Sequence, residues 1–222
     1  YESIDTILEK GTKSLNIEQF VEKTEKYEAL ILDVRHQSQF IEGFIPNSMF
    51  IGLNGTFAPW VGALIKDIHQ PIILITPEGK EEETITRLAR VGFDNVIGYL
   101  EGGFETWKKS NKSIASITSI SAEVLEENIK HGAIVFDVRK PGEYDNEHIE
   151  NVTNTPLDYL EEHLNEFPKD TSFFIHCAGG YRSVIAASIL KMNGFDNVID
   201  VAGGFSAIRN TNIKRTEPTC SL

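Results

Sequence analysis

The chain has 222 residues, a net charge of −12 and two cysteines, Cys177 and Cys220. The negative charge argues against nucleic-acid and anionic-membrane partners, because both attract surfaces rich in Lys and Arg. The cysteine count excludes a disulfide-rich scaffold and a four-cysteine metal site. The apolar runs are shorter than the roughly 20 residues that a membrane span needs, and no basic, apolar leader opens the chain. We therefore expect a globular, cytoplasmic protein.

The chain repeats itself at an offset of 101 to 104 residues. The motifs DVR, GFDNVI and GGF occur at 33–35, 92–97 and 102–104, and again at 137–139, 194–199 and 203–205. This period is too long for a solenoid unit and suits two copies of a small domain. The polar stretch Ser110–Ser119 has the composition of a linker. The sequence thus predicts two domains, residues 1–112 and 113–222.

Apolar runs of strand length alternate with segments of helical spacing along the chain. In the first repeat, Ile72–Thr76 is such a run, and the acidic residues Glu81–Glu83 indicate a helix start. In the second repeat the elements follow in the order helix Ser121–His131, strand Ala133–Val138, helix Leu157–Phe167, strand Ser172–Cys177, helix Tyr181–Asn193, strand Val198–Val201 and helix Gly204–Arg209. Strands that are apolar on both faces and separated by helices indicate a parallel sheet covered on both sides. We predict two α/β domains, each a parallel β-sheet flanked by helices.

The candidate reactive residue is Cys177, which ends an apolar strand. The loop Ala178-Gly179-Gly180-Tyr181-Arg182-Ser183 follows it and leads into a helix. Glycines let successive backbone N–H groups point inward, where they form an anion-binding nest. The helix N-terminus and Arg182 add positive potential. This setting favours a thiolate nucleophile whose covalent adduct is held by backbone amides.

For several other residues we weigh a structural or incidental role against a chemical one. The alternative for Cys177 is a buried structural cysteine, but the glycines and Arg182 within one short loop favour a reactive thiol. His176 points to the other face of the strand, so we expect it to pack rather than act as a base. Cys220 lies in a polar tail and is interpreted as incidental, the alternative being a resolving thiol. The Asp–Arg motif at 33–35 and 137–139 is interpreted as a structural ion pair or loop anchor, because both repeats keep it.

The first repeat differs from the second where the thiol is expected. Aligning Ile72–Thr76 with Phe173–Cys177 places Thr76 opposite Cys177. The following loop, 77–82, contains no arginine and has an acidic end that would repel an anion. The first domain therefore lacks the thiolate chemistry, and we expect it to shape a cleft, hold the second domain or dock a partner.

From about Ile17 to Arg209 the chain resembles tandem rhodanese-domain sulfurtransferases. The residues that carry the resemblance are Asp137-Val138-Arg139, Pro141, Glu143, Tyr144, His148, Cys177-Ala178-Gly179-Gly180-Tyr181-Arg182-Ser183 and Gly203-Gly204-Phe205. The resemblance implies sulfur transfer by double displacement. Cys177 takes a sulfane sulfur from a donor, becomes a persulfide and passes the sulfur to a thiophilic acceptor. The backbone N–H groups of Ala178 to Ser183 would stabilise the persulfide, and Arg182 would help to bind an anionic donor.

The resemblance also implies an inactive first domain (1–112, Thr76 at the cysteine position) and an active second domain (113–222). It implies thiosulfate or a low-molecular-weight persulfide such as glutathione persulfide as donor, and cyanide or sulfite among the acceptors. No cofactor and no metal are expected in this chain. The start at Tyr1 and the segment 57–62 (FAPWVG) are similar to the C-terminal part of bacterial fusions. In those, a metallo-β-lactamase-type persulfide dioxygenase precedes the rhodanese domains, so such a domain is an expected partner.

Alternatives on the same fold are a cysteine-dependent phosphatase, an arsenate reductase and a rhodanese-like protein-interaction module. Cell-cycle phosphatases of this fold use a Cys-x5-Arg loop, whereas Cys177 to Arg182 is one residue shorter. The shorter loop suits a sulfur adduct and favours sulfur transfer. One segment departs from the family pattern: residues 147–152 read EHIENV in place of GHIPGA, and we carry no role onto them.

Overall fold

A computed structural model describes residues 3–218 of the chain. The chain divides into two compact units, Tyr1–Ser116 and Ile117–Leu222, with the division inside the polar stretch assigned to the linker. In the described part of each unit, a five-stranded sheet is flanked by helices, and every pair of neighbouring strands is parallel. The predicted fold class is confirmed. None of the helices between Ser3 and Pro218 is long and apolar enough to cross a membrane.

The first unit begins with a helix and alternates strands and helices to its end. Its elements are α1 Ile4–Gly11, β1 Ser14–Leu15, α2 Ile17–Lys26, β2 Leu30–Asp33, α3 Gln37–Glu42, β3 Met49–Phe50, α4 Phe57–Leu64, β4 Ile72–Ile75, α5 Glu81–Ala89, β5 Val96–Leu100 and α6 Gly103–Lys109. The strand order is β1-β5-β4-β2-β3. The central strand β4 is buried at every position, which explains its uninterrupted apolar sequence.

The second unit repeats this plan. Its elements are β6 Thr118–Ile120, α7 Ala122–Lys130, β7 Ile134–Asp137, α8 Pro141–Asn146, β8 Thr153–Asn154, a 3-10 helix Leu157–Glu166, β9 Phe173–His176, α9 Arg182–Met192, β10 Val198–Val201 and α10 Gly204–Ile208. The strand order is β6-β10-β9-β7-β8, so β9 is central. The helix α9 is buried from Ser183 to Leu190, and the loop in front of it is therefore anchored at both ends.

One predicted helix differs in type. Residues 157–166 form a 3-10 helix that is interrupted at Tyr159, where φ is −122° and ψ is 19°. Its buried residues, Leu157 and Leu160, are three positions apart. Because Tyr159 interrupts the helix between these two leucines, residues 157–166 do not form the continuous α-helix that the spacing predicts.

Candidate active site

Cys177 follows the central strand β9 and precedes α9. Parallel strands that are buried on both faces carry their functional side chains just beyond their carboxyl ends, and Cys177 occupies that position. The residue is a free cysteine with 1% of its surface exposed. The predicted position of the thiol, at the junction of a strand, a glycine-containing loop and a helix, agrees with the structure.

Two contacts hold the sulfur atom. The backbone N–H of Gly180 donates to Cys177 Sγ over 3.1 Å, and the Cys177 thiol donates to Ser183 Oγ over 3.5 Å. Gly180 has a φ of +100°, a backbone conformation that side-chain-bearing residues rarely adopt. The loop thus aims a backbone donor at the sulfur, as the glycine pattern predicts. Ala178 and Tyr181 are half-buried in this loop, and Gly179 is exposed.

A glycine turn supports the loop from below. The Phe205 N–H donates to the Cys177 carbonyl over 2.7 Å, and the Ser206 N–H donates to the Ala178 carbonyl over 3.0 Å. A Cβ atom on Gly204, whose φ is +54°, would lie 2.5 Å from the Cys177 carbonyl oxygen. The second glycine of the repeated GGF motif is therefore needed for this close approach. The repeated motif alone does not predict this role, because the close approach to Cys177 comes from the tertiary fold.

Arg182, the first residue of α9, is fully engaged by a carboxylate. Its Nη1 and Nη2 groups donate to Oε2 and Oε1 of Glu143 over 2.6 and 2.8 Å. This hydrogen-bonded ion pair lowers the pKa of Glu143 and raises the pKa of Arg182, so both groups remain charged at neutral pH. Glu143 lies within the motif that carries the family resemblance, but its sequence pattern alone predicts no role for it.

A comparison of the two repeats contains a signal for this pair. At the repeat offset of 104, Glu143 corresponds to Gln39, and at the offset of 101, Arg182 corresponds to Glu81. The two positions thus change together: the first repeat has Gln and Glu where the second has Glu and Arg. In the second repeat these two positions contact each other through the ion pair.

A second ion pair is buried under the loop. The Arg139 Nη2 donates to Asp137 Oδ2 over 2.7 Å and also to the Glu147 carbonyl over 2.8 Å. The guanidinium carbon lies 3.9 Å from the centroid of the Phe205 ring, within the range of a cation–π contact. The interpretation of the Asp–Arg motif as a structural ion pair is confirmed.

His176 packs beneath the loop, as predicted. The ring is fully buried; its Nδ1–H donates to the Cys177 carbonyl over 3.1 Å, and its Nε2 lies 3.7 Å from Asp137 Oδ2. Burial lowers the pKa of His176, which keeps the imidazole neutral. Its hydrogen bond is to the backbone of Cys177, so it supports the loop and does not contact the sulfur.

A buried carboxyl group lies behind Ser183. Asp200 on β10 is 2% exposed and accepts a hydrogen bond from Ser119 Oγ over 2.9 Å. Burial raises its pKa, and the hydroxyl groups of Ser183 and Ser119 offset part of that rise. Asp200 could not be predicted as a site residue, because a single acidic residue in a strand forms no recognisable pattern.

The corresponding loop of the first unit keeps the support and loses the reactive groups. The hydroxyl of Thr76 donates to Glu81 Oε1 over 3.1 Å, so a carboxylate lies where the second unit has Arg182. A Cβ on Gly103 would lie 3.0 Å from the Thr76 carbonyl oxygen, as expected for the counterpart of Gly204. Asp33 and Arg35 form the same buried ion pair, with an N–O distance of 2.7 Å.

Two further predictions concern other parts of the chain. Cys220 lies outside the described residues, so its interpretation as incidental stays a prediction. Within residues 3–218, no group of three or more His, Cys, Asp or Glu side chains is placed to hold a metal ion.

Comparison with known proteins identifies the family. The Rhodanese-like domain matches residues 16–110 and again residues 121–211. The putative sulfur carrier protein YrkF of Bacillus subtilis is 34% identical over 97 residues, which cover 43% of this chain and 52% of that protein. The chain thus spans about half the length of that relative. The thiosulfate sulfurtransferase GlpE of Shewanella oneidensis is 29% identical over 100 residues, which cover 45% of this chain and 95% of that protein.

Among solved structures, a rhodanese-related protein from Thermoplasma volcanium matches with 34% identity and a TM-score of 0.41. The match covers 45% of this chain and 97% of that chain. The two matches of the family domain cover most of the sequence and coincide with the two structural units. The protein therefore belongs to the rhodanese-like domain family and carries two copies of the domain.

Proposed function

We propose that the protein is a sulfurtransferase in which Cys177 carries the sulfur. The observation that supports this most directly is the contact between the Gly180 N–H and Cys177 Sγ, because a donor aimed at the sulfur stabilises negative charge there. Cys177 is also the cysteine located at the carboxyl end of a central strand, where α/β domains bind their substrates. The sulfurtransferase relatives are consistent with this assignment.

The reaction takes two displacement steps. The Cys177 thiolate attacks the sulfane sulfur of the donor; a new S–S bond forms and the S–S bond of the donor breaks. The donor leaves with the electron pair, as sulfite from thiosulfate or as a thiolate from a low-molecular-weight persulfide. A thiophilic acceptor such as cyanide or sulfite then attacks the outer sulfur of the Cys177 persulfide and regenerates the thiolate.

Each loop residue has a defined part in this proposal. The backbone groups from Ala178 to Ser183 hold the persulfide, with the Gly180 N–H as the donor already in contact with sulfur. The Ser183 hydroxyl accepts a hydrogen bond from the Cys177 thiol in the resting state. The ion pair with Glu143 fixes Arg182 at the start of the helix that follows the loop.

For the first unit we propose a non-enzymatic role as an interaction module. Thr76 replaces the thiol, and its partner Glu81 places a negative charge where an anionic donor would bind. The second unit then carries the chemistry alone.

The test is intact mass spectrometry after incubation with thiosulfate or with glutathione persulfide. We expect an adduct of about 32 Da, the mass of one sulfur atom, which disappears after addition of cyanide. The adduct should map to Cys177 and be absent from Cys177→Ala. An adduct of equal size in that variant would overturn the assignment of Cys177.

The phosphatase alternative is tested with the same preparations. Hydrolysis of an aryl phosphate that depends on Cys177, in the absence of any sulfur adduct, would replace the sulfurtransferase proposal by the phosphatase.

The predicted partnership with a persulfide dioxygenase domain stays a prediction, and the coding sequence upstream of Tyr1 tests it. The cytoplasmic location likewise stays a prediction.

A further inference from the structure

The charge balance around Cys177 depends on one residue outside the loop. Among residues 178–183, Arg182 is the charged residue, and both of its terminal nitrogens donate to Glu143 over 2.6 and 2.8 Å. The Arg182 side chain is 17% exposed and the Glu143 side chain 37% exposed. The pair is therefore partly exposed to solvent, and its net charge is zero.

The next guanidinium under the loop is also neutralised. Arg139 is held by Asp137 in the buried ion pair described above, with side-chain exposures of 5% and 0%. The second unit as a whole has 9 basic and 16 acidic residues, a net charge of −7. An anion that approaches Cys177 thus meets backbone N–H groups and a guanidinium whose charge is already cancelled.

The candidate donors differ in how much charge they bring to the reacting sulfur. Thiosulfate carries two negative charges on the reacting group. Together with the thiolate this makes three charges, which are still present in the products, one on the Cys177 persulfide and two on sulfite. An organic persulfide, R–S–SH, reacts with the thiolate to give Cys177–S–SH and R–S⁻. At most one of its charges lies on the two reacting sulfurs, and the other charges of R lie several bonds away.

On the basis of the proposed function, we propose that Glu143 is a specificity-determining residue that directs the site toward organic persulfides and against thiosulfate. The Glu143 carboxylate cancels the positive charge of Arg182 and repels the second charge of thiosulfate. Since Coulomb interactions scale with the product of the charges, the Glu143 carboxylate repels the dianion more strongly than a donor with one charge at the reacting group. Glu143 acts through Arg182 and through its field, so it is not a catalytic residue.

The experiment compares the wild-type protein with Glu143→Gln and Glu143→Asp. We expect kcat/KM for thiosulfate to rise about tenfold in Glu143→Gln, which corresponds to about 1.4 kcal/mol of transition-state stabilisation. We expect kcat/KM for glutathione persulfide to change less than about threefold, because its reacting group carries less charge. Glu143→Asp keeps the negative charge while shortening the side chain, so its donor preference should stay close to that of the wild type.

The matched control is Glu127→Gln, which removes an exposed carboxylate paired with Lys130 on α7. It should leave both donor efficiencies unchanged. If Glu143 served only to lock the helix start, Glu143→Gln and Glu143→Asp would lower both efficiencies together, and this result would overturn the inference. If the wild-type protein accepted sulfur from neither donor, the proposed function itself would fail. The two failures are therefore distinguishable.

Discussion

Gly204 lies directly beneath the Cys177 peptide, so close that a Cβ atom on Gly204 would come within 2.5 Å of the Cys177 carbonyl oxygen and 2.7 Å of the Ala178 carbonyl carbon. The neighbouring Phe205 N–H donates to that carbonyl oxygen over 2.7 Å. The loop after Cys177 is thus positioned by a backbone-to-backbone contact with the first residues of α10. This contact leaves no room for a side chain.

We predict that Gly204→Ala destabilises the second unit strongly and lowers sulfur loading of Cys177. The left-handed conformation costs an alanine about 1–2 kcal/mol, and the clash with the loop adds a further ~1–3 kcal/mol. Gly132→Ala is the control, since Gly132 has a φ of +82° and nothing within 4 Å of an added Cβ. Urea unfolding followed by circular dichroism measures both variants. Equal losses in the two variants would show that the close approach to the loop does not matter.

The buried ion pairs offer a prediction in each unit. Asp137→Asn should lower the free energy of unfolding of the second unit by about 3–5 kcal/mol, because Arg139 then keeps a buried, uncompensated charge. Asp33→Asn should do the same in the first unit. Both tryptophans, Trp60 and Trp107, lie in the first unit, so their fluorescence reports on that unit.

The two variants are expected to differ in whether the fluorescence transition moves. Asp33→Asn should shift the fluorescence transition to lower urea, whereas Asp137→Asn should leave it in place and shift the transition seen by circular dichroism. Losses below about 1 kcal/mol in both variants would mean that each arginine finds enough other partners.

The buried Asp200 predicts a dependence of stability on pH. Burial raises its pKa in the folded protein above the reference of about 3.9 for the unfolded chain, so the folded state binds the proton more tightly. This contribution to stability is complete below the unfolded pKa and is lost as pH rises through the folded pKa. We expect Asp200→Asn to remove this loss, so that the variant gains stability relative to the wild type as pH rises.

The gain should amount to about 1.4 kcal/mol for each unit by which the pKa is raised. The control is Asp196→Asn, a substitution of an exposed residue just before β10. The free energy of unfolding of the wild type and both variants is measured by urea unfolding at several pH values between about 4 and 8. A difference between Asp200→Asn and the wild type that does not vary with pH would contradict the assigned titration.

The first unit allows a gain-of-function prediction. In a Cys177→Ala background, Thr76→Cys should accept little sulfur, because Glu81 repels the thiolate and the donor. Adding Glu81→Arg should raise the rate of sulfur loading at position 76 by at least about tenfold, or about 1.4 kcal/mol. Gly79, with a φ of +76°, already stands at the position of Gly180. Intact mass measurements after addition of glutathione persulfide test this, and equal loading of the single and double variants would contradict it.

Contiguous features of the site were predictable, and features that join distant segments were not. Cys177, Gly180 and Arg182 lie within six residues, so the strand, loop and helix start could be recognised from local sequence alone. The bounds of β10 agree with the prediction, and those of α9 differ by one residue at each end. Both elements have strong apolar patterns, which burial on both faces explains.

The contacts that define the charge of the site come from elsewhere in the chain. Glu143 and Arg182 are 39 residues apart, and the local pattern around Glu143 does not mark it as a partner of the loop. The Asp200 carboxyl reaches the back of the loop from the adjacent strand, a neighbour that only the sheet order β10-β9 supplies. Side-chain pairing across elements depends on tertiary packing, on which local periodicity carries no information.

The two loops have the same supporting residues beneath them, but they differ in the residues that would contact a substrate. The first unit retains the buried Asp33–Arg35 pair and the left-handed Gly103 under Thr76, although it has no thiol to position. The ion pair and the glycine therefore support the fold of the first unit without a thiol. In a duplicated domain, a few substitutions in the loop, such as Thr for Cys and Glu for Arg, can remove catalysis without a loss of folding free energy. The surface of the copy without catalysis can then change in sequence and acquire a role in binding a partner.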